Sequence, residues 1–524
     1  IFSPIDPKTL YYAGNVLFKT TTGGHSWDII SPDLSREKPD IPINIGVYRT
    51  PELENMARRG VIYTVAPSFQ DINTIWAGTD DGLIHITRNG GKTWQNITPT
   101  DLTSWSKVSL IEASHFDNET AYAAINRFRL DDLRPHIYRT HDGGKTWQKI
   151  TKGIPENEVV NAVREDPIRK GLLFAGTERT VYVSFNDGDD WQSLRLNMPS
   201  TSIRDLVVHN DDIVVGTHGR SFWILDDITH LRQLNEKVSA SEAFLFKPQL
   251  AYRVRRSLNT DTPIPPEEPM GQNPPDGAII NYFLQKDSQS PVVLEIYDQS
   301  NQLVRRFSSN DEPEKFKEEE NAIPAYWVRV PKVLSAKVGM QRFVWNLHYP
   351  HPEGVRRTYP ISAIYQDTPS EPLGPTVLPG NYTIKLIANG NTYSQELTIK
   401  LDPRVKTPET GIKQIFDIAM ENHQGLNKVH QALSEIRELQ TKLSTSPTDN
   451  KELLEKITEL VSGNPDKNLT KLQAELARLL DLVEEVDATP TTQVAIASEQ
   501  TQVTLKELLA IWGKLKTEVL KKAK

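Results

Sequence analysis

Thr140-His141-Asp142-Gly143-Gly144-Lys145-Thr146-Trp147 is the stretch on which the fold turns. A hydroxyl residue, an Asp two positions on, a Gly pair and a closing Trp describe a tight hairpin between two strands. The carboxylate accepts hydrogen bonds from the turn's own backbone, and Gly supplies a conformation that other residues adopt only at a cost. The Trp brings roughly 200 Å² of apolar surface to a neighbouring sheet. Three further segments keep the spacing: Thr20 to Trp27 (TTTGGHSW), Thr87 to Trp94 (TRNGGKTW) and Ser184 to Trp191 (SFNDGDDW). Only the copy at 140–147 is complete. Thr22, Asn89 and Asn186 stand at the acidic position of the others, and Asp190 replaces the Thr of the last.

Outward from each Trp the same order of elements returns. A short apolar strand comes first, as in Val61 to Pro67. Next is a strand ending in a small pair: Ala13-Gly14, Ala77-Gly78, Ala123-Ala124, Ala175-Gly176 and Val215-Gly216. An alternating strand such as Leu83 to Ile86 then leads into the hairpin, with the period of two that marks strands. The spacing from Trp94 to Trp147 to Trp191 fits blades of about 40–50 residues, and the longer Trp27–Trp94 interval carries an insertion. Five units are visible, and the fifth, Leu206 to Asp227, ends without a hairpin of this type. Residues 1–230 therefore read as β-propeller blades, about five in number and incomplete as a ring.

Residues 231–275 are rich in proline and read as an extended linker. From 276 to 403 short alternating strands return (Ala278 to Leu284, Val292 to Tyr297, Phe343 to Leu347, Tyr382 to Ile387, Tyr393 to Leu401), which suits an immunoglobulin-like or fibronectin-like sandwich. Residues 404–524 are helical. Leu426, Val429, Leu433, Ile436, Leu439 and Leu443 follow three- and four-residue steps, as do Leu469, Leu472, Leu476, Leu479 and Val483, and Leu505, Leu508, Trp512, Leu515 and Val519. Three long helices and a short one from Lys451 to Val461 should pack as an antiparallel bundle. The fold class is mainly β, with this helical tail.

Composition narrows the function. The 524 residues carry a net charge of −8, against the basic face that nucleic acid or an anionic membrane would select. The absence of cysteine excludes disulfides, thiolate metal sites and a cysteine nucleophile. No apolar run approaches the ~18 residues of a membrane span. The chain opens on Ile1-Phe2-Ser3-Pro4, and an export signal could have been removed from it.

The hairpins resemble the Asp-box, and the whole order of segments resembles a bacterial family of BNR or sortilin-like (Vps10-type) propeller proteins often labelled glycosyl hydrolases. The resemblance is carried by Ala124 to Asp132 (AINRFRLDD), His136 to Thr140, Gly216 to Asp227 (GTHGRSFWILDD) and Leu378 to Thr383 (LPGNYT). It implies structural hairpins at the blade rim. It also implies an exported protein of about twice this length, with further blades upstream, so that this chain corresponds to the C-terminal half. The upstream half, or a separate chain, is then an expected partner. A sorting-receptor role does not transfer, because the cysteine-rich module that follows a sortilin propeller cannot exist here.

In a propeller, the turns between second and third strands and the links between blades share the axial face. That geometry gathers Thr79 to Gly82, Asn126 to His136, Thr177 to Thr180 and Thr217 to Arg220, joined by Asp33, Tyr48, Arg49, Arg58 and Arg59 of the insertion. Long loops on rigid scaffolds are where sites are built. Arg127, Arg129, Arg134, His136, Glu178, Arg179, His218 and Arg220 are the candidate ligand contacts, unless these charges simply pair with one another. Two functions follow: a non-catalytic protein binding a glycan, peptide or protein, or a glycoside hydrolase. The hydrolase needs two carboxylates about 5–9.5 Å apart, with Asp80, Asp81, Asp131 and Asp132 as candidates and half the cleft outside this chain. No cofactor or metal is expected. His348, His351 and Glu353 have superficial metal spacing broken by proline, and Asn186 to Asp190 lacks the full calcium loop.

Overall fold

Strand pairing in residues 1–235 runs in simple chain order through five antiparallel sheets. The computed structural model describes residues 1–38, 40–55, 60–255, 265, 267–268, 271–359, 366, 368–443, 451–465 and 467–522. The first blade pairs Leu10–Ala13, Leu17–Thr20 and Asp28–Ile29, and Phe2 adds a single bridge to Leu10. Three blades of four strands follow: Ile62–Pro67, Ile75–Thr79, Ile84–Thr87 and Gln95–Asn96; Lys107–Ala113, Ala121–Asn126, Ile137–Thr140 and Gln148–Lys149; Val160–Glu165, Leu173–Thr177, Val181–Ser184 and Gln192–Ser193. The fifth has Ile203–His209, Asp212–Thr217 and Phe222–Leu225, after which the chain enters the helix Thr229–Gln233.

Each interior strand is covered on both faces, so its apolar residues do not need to alternate. In the second blade Trp76, Ile84 and Ile86 pack against Val108, Ile111 and Tyr138 of the third. Ile75 and Ala77 on its other face pack against Tyr11 and Leu17 of the first. Small residues set the spacing. A Cβ added to Gly176 would lie 2.7 Å from Ile203 of the next blade.

The Trp hairpins lock one blade to its predecessor. The indole Nε1 of Trp94 donates to Ile30 O at 2.8 Å, that of Trp147 to Ile97 O at 2.7 Å and that of Trp191 to Ile150 O at 2.9 Å. Each acceptor is the residue just after the preceding blade's fourth or outermost strand. Within the complete hairpin, Thr146 N–H donates to Asp142 Oδ1 at 2.9 Å. The incomplete copies keep that bond with other oxygens: Thr22 accepts from Ser26 N–H, Asn89 from Thr93 N–H and Asn186 from Asp190 N–H. The turn asks for an acceptor rather than a charge, which explains why four copies hold their geometry with one aspartate. Gly144 sits at φ 84° with Ile97 Cδ1 only 2.5 Å from where a Cβ would be. Gly144→Ala is expected to cost about 1–3 kcal/mol from combined strain and overpacking, read as a lowered urea midpoint of the propeller unit.

Residues 236–524 form the second compact unit. Ala243–Leu245, Ala278–Leu284 and Gly339–Trp345 make one sheet, and Ala251–Arg253, Asn391–Leu401, Gly380–Ala388, Val293–Tyr297 and Leu303–Ser308 the other. Both contribute to one core around Ile280, Leu294, Trp345 and Ile384. Two of these strands, Ala243–Leu245 and Ala251–Arg253, fall in the stretch expected as linker. Buried Ala243, Leu245 and Ala251 supply the alternation there, ahead of the prolines that dominate the later sequence. Of those prolines, 263, 266 and 269 lie outside the described residues. Helices Glu409–Leu443, Lys451–Thr458, Leu469–Glu484 and Thr492–Lys522 share a second core, with a π-helical turn at Glu459–Gly463. The second stripe buries Leu480 where Leu479 was expected, a four-residue step in place of three.

Candidate functional site

Hydrogen bonds sort the loops of the propeller unit into two edges. Turns between second and third strands meet the links between blades: Trp105 N–H donates to Asp81 O, Glu178 N–H to Val159 O, Thr201 N–H to Arg179 O and His218 N–H to Ser202 O. At the other edge the Trp hairpins meet the turns between first and second strands, with Gly90 N–H donating to Asn73 O, Gly143 N–H to Glu119 O and Asp187 N–H to Gly171 O. The candidate residues 80–81, 127–136, 178–179 and 218–220 therefore share one edge, away from the hairpins.

A chain of side-chain contacts runs along this edge from blade to blade. Arg129 reaches Asp80 at 3.5 Å. Asn126 Nδ2 donates to Asn161 Oδ1 at 2.7 Å, Asn161 Nδ2 to Glu178 Oε1 at 2.9 Å, and Arg204 to the same Glu178 oxygen at 3.2 Å. Asn44, from the insertion, donates to Arg129 O at 2.7 Å and to Asp131 at 3.0 Å. The interleaved charges thus pair largely with one another.

The 127–136 loop owes its shape to Asp132. Arg134 donates through Nε and Nη2 at 2.8 and 3.0 Å, His136 Nε2 stands 3.0 Å away, and Arg127 Nε lies at 3.4 Å. The hydrogen-bonding Arg134, aided by its backbone N–H and by His136, holds the Asp132 carboxyl well below the usual range. His136 is itself buried, and loss of hydration, with Lys149 nearby, pushes its imidazole down to about 4 against the pull of Asp132. Asp81 is buried too. Its Oδ1 accepts the Thr79 hydroxyl at 2.5 Å and its Oδ2 the Arg36 N–H at 2.8 Å. Asp80 accepts Val61 N–H at 2.8 Å. All four candidate carboxylates are engaged, and Asp81 lies deep in the scaffold.

The remaining candidates are more open. The His218 and Arg220 side chains are exposed, with their turn held by Arg220 N–H donating to Thr217 Oγ1 and Trp223 Nε1 donating to Arg220 O. Arg179 is held through its backbone, its N–H donating to Thr177 Oγ1. In the insertion, Arg49 pairs with Glu54 at 2.6 Å and Asp33 accepts from Asn15 and Ser35, while Tyr48 is exposed; Arg58 and Arg59 lie outside the described residues. Sequence reasoning missed Arg36, Asn44, Asn161, Arg204 and Trp105. Trp105 stands at φ 66°, rare for a bulky residue, with its Nε1 buried and without a partner among the described residues. It was the one Trp between blades that belonged to no hairpin, which was a usable signal. Asn161 lies mid-strand and gave none.

The other polar clusters are structural. Asp187 accepts from the Tyr122 hydroxyl at 2.5 Å and from Arg139 at 2.9 Å, and Asp190 pairs with Lys152 at 2.6 Å, so the 186–190 turn ties blades together. His348 is half-buried with Nδ1 2.7 Å from Gly374 O. Among the described residues no helix is long and apolar enough to cross a membrane.

Residues 135–236 match the family described as Sortilin, neurotensin receptor 3. The chain fits a sortilin-like propeller family. A curated relative, the oligoxyloglucan-reducing end-specific xyloglucanase of Emericella nidulans, is 27% identical over 111 residues, which is 21% of this chain and 14% of that protein. The match therefore spans only a small part of the relative's length. Among solved structures, a GH74 enzyme of Niastella koreensis is 14% identical, covering 75% of this chain and 55% of its own at a TM-score of 0.31. YCF48 bound to D1 peptide is 17% identical, covering 42% and 75% at 0.23.

Proposed function

We propose that this chain is part of an exported, Asp-box propeller scaffold that binds a glycan, peptide or protein partner through its axial-edge loops without catalysing a reaction. The observation that carries the reading is the engagement of the four candidate carboxylates. A general acid must hold a proton near neutral pH, and Asp132, surrounded by Arg127, Arg134 and His136, is held in the opposite state. Asp81 is buried and hydrogen-bonded through both oxygens. A hydrolase acting through an Asp pair, with its cleft completed by upstream blades, is the second reading; the xyloglucanase relative is what favours it. The exposed Arg179, His218 and Arg220, with the half-buried Arg129 beside Asp80, suit an acceptor-rich ligand along one edge. Export follows the resemblance, and completion of the propeller by an upstream half or a separate chain belongs to the same reading.

Arg129→Ala is expected to weaken binding about tenfold, roughly 1.4 kcal/mol, in a screen of immobilised xyloglucan oligosaccharides and extended peptides by surface plasmon resonance. Asp80→Asn and Asp131→Asn should leave reducing-sugar release from xyloglucan at the level of buffer, as the unaltered chain does. Release that the unaltered protein catalyses and these variants lose would establish the hydrolase instead.

A further inference from the structure

Arg305 carries its charge on the core-facing side of its sheet. It lies in Leu303–Ser308, the outermost strand of the five-stranded sheet. There it stands opposite Ile296, and Phe307 stands opposite Leu294; both of these partners are fully buried in the sandwich core. Phe307 meets Phe343 of the facing sheet edge-on, with ring centroids 4.7 Å apart. Residues two apart on a strand share a face, so Arg305 points with Phe307 toward the space between the sheets. Its guanidinium lies 5.1 Å over the Phe307 ring, and the residue is half-buried. Arg306 stands opposite Glu295 and pairs with it at 3.7 Å. That exposed neighbour already gives the edge strand the charge that discourages pairing with another sheet. Arg305 is not needed for that purpose.

A guanidinium offers five N–H donors. Among the described residues Arg305 makes no hydrogen bond or ion pair, and its Nε is buried without an acceptor. The carboxylates nearest to it are committed elsewhere. Glu314 pairs with Arg357 Nη1 at 2.6 Å, and Asp311 accepts the Ser308 N–H at 2.7 Å. Arg357 is half-buried too, and its Nε also has no partner among the described residues. The two cations feel each other: burial first, and then the Arg357 charge, push the Arg305 guanidinium below its ordinary pKa against the pull of Glu314 and Asp311. A charge withdrawn from water without a partner is costly. A planar oxyanion offers a guanidinium two parallel hydrogen bonds and cancels that cost.

We infer that Arg305 and Arg357 form a binding site for an oxyanion, a carboxylate or phosphate group, at the outer-strand rim of the sandwich. Arg305 supplies the forked contact with Phe307 beneath it, and the free Nε of Arg357 supplies a further donor. Glu314 competes for Arg357 from the solvent side. The site lies wholly within residues 236–524 and does not depend on the ligand reading of the propeller edge.

The test is isothermal titration of the full chain at neutral pH and constant ionic strength, with inorganic phosphate, with glucuronate and with uncharged glucose. At least one of the two anions should bind saturably and glucose should not. A response to phosphate alone marks a free-anion site, and one to glucuronate alone marks a carboxylated sugar; either result supports the inference. Arg305→Met should weaken that binding about tenfold or more, and Arg305→Lys should recover only part of it, because an ammonium lacks the fork. Glu314→Gln, at an exposed side chain, spares the fold and should tighten binding by removing the competing carboxylate. No saturable binding of either anion would overturn the inference, as would an Arg305→Met chain that binds like the unaltered one. Unchanged affinity in Glu314→Gln would also count against it. Arg129→Ala should leave this binding as it is, which separates the site from the propeller edge.

Discussion

Asp487→Ala is expected to lower the stability of the second unit by about 3–5 kcal/mol, the usual cost of breaking a buried ion pair from one side. Asp487 follows the third helix and is buried between two guanidinium groups. Arg253, from a sandwich strand, donates to its Oδ1 at 2.5 Å, and Arg255 Nε donates to the same oxygen at 2.7 Å. Arg255 also pairs with Glu484 at 2.9 Å, and the Thr407 hydroxyl donates to Asp487 O. Burial, with Arg255 alongside, already pushes the Arg253 guanidinium below its ordinary pKa. Removing Asp487 would leave two buried cations with a single carboxylate. The measurement is a urea titration of the second unit followed by Trp345 and Trp512 fluorescence. A loss under about 1 kcal/mol would mean that water reaches the cluster and solvates the freed guanidinium. The double replacement Arg253→Met with Asp487→Leu should recover much of the loss, since apolar substitutes avoid the desolvation cost.

The propeller unit should lose stability in mild acid through two histidines. His85 shares the buried face of the second blade with Ala77, and burial pushes it down to about 4. His136 falls to about 4 for the same leading reason. An unfolded imidazole takes up a proton near 6.5, while these two in the folded state stay neutral to about 4. The unfolded chain therefore binds more protons across that window. Their stabilisation is fully present above pH 6.5 and is lost as pH falls toward 4, on the order of 3 kcal/mol for each. Glu165 acts the other way: burial raises its carboxyl pKa, so proton uptake there favours the folded state as pH drops. Thermal melts between pH 7.5 and 4 should show the fall, and the double variant His85→Gln, His136→Gln should flatten it. A wild-type curve without slope between 6.5 and 4 would refute the assignment.

Much of the propeller was legible before any coordinates, because a blade is a local object. Its strands pair with sequence neighbours, and its hairpin is specified by five or six consecutive residues. The amphipathic stripes of the helices were legible for the same reason, down to a slip from Leu479 to Leu480. Strands Leu303–Ser308, Ala243–Leu245 and Ala251–Arg253 were not, since short strands among polar or proline-rich residues depend on distant partners for their pairing. The site was half legible. The edge that gathers residues 80–81, 127–136, 178–179 and 218–220 follows from the repeat, whereas Asn161 and Arg204, which connect them, have no pattern of their own.

The sequence by itself determined which segments become blades, which turns share an edge and which Trp residues serve the scaffold, because all of these follow from periodicity and turn chemistry within one repeat. Only the tertiary structure decided that the four aspartates are already engaged and that Trp27 and Phe222 are exposed. Engagement and exposure belong to atoms brought together from residues far apart in the chain, such as Arg36 and Asp81, and no local spacing encodes them.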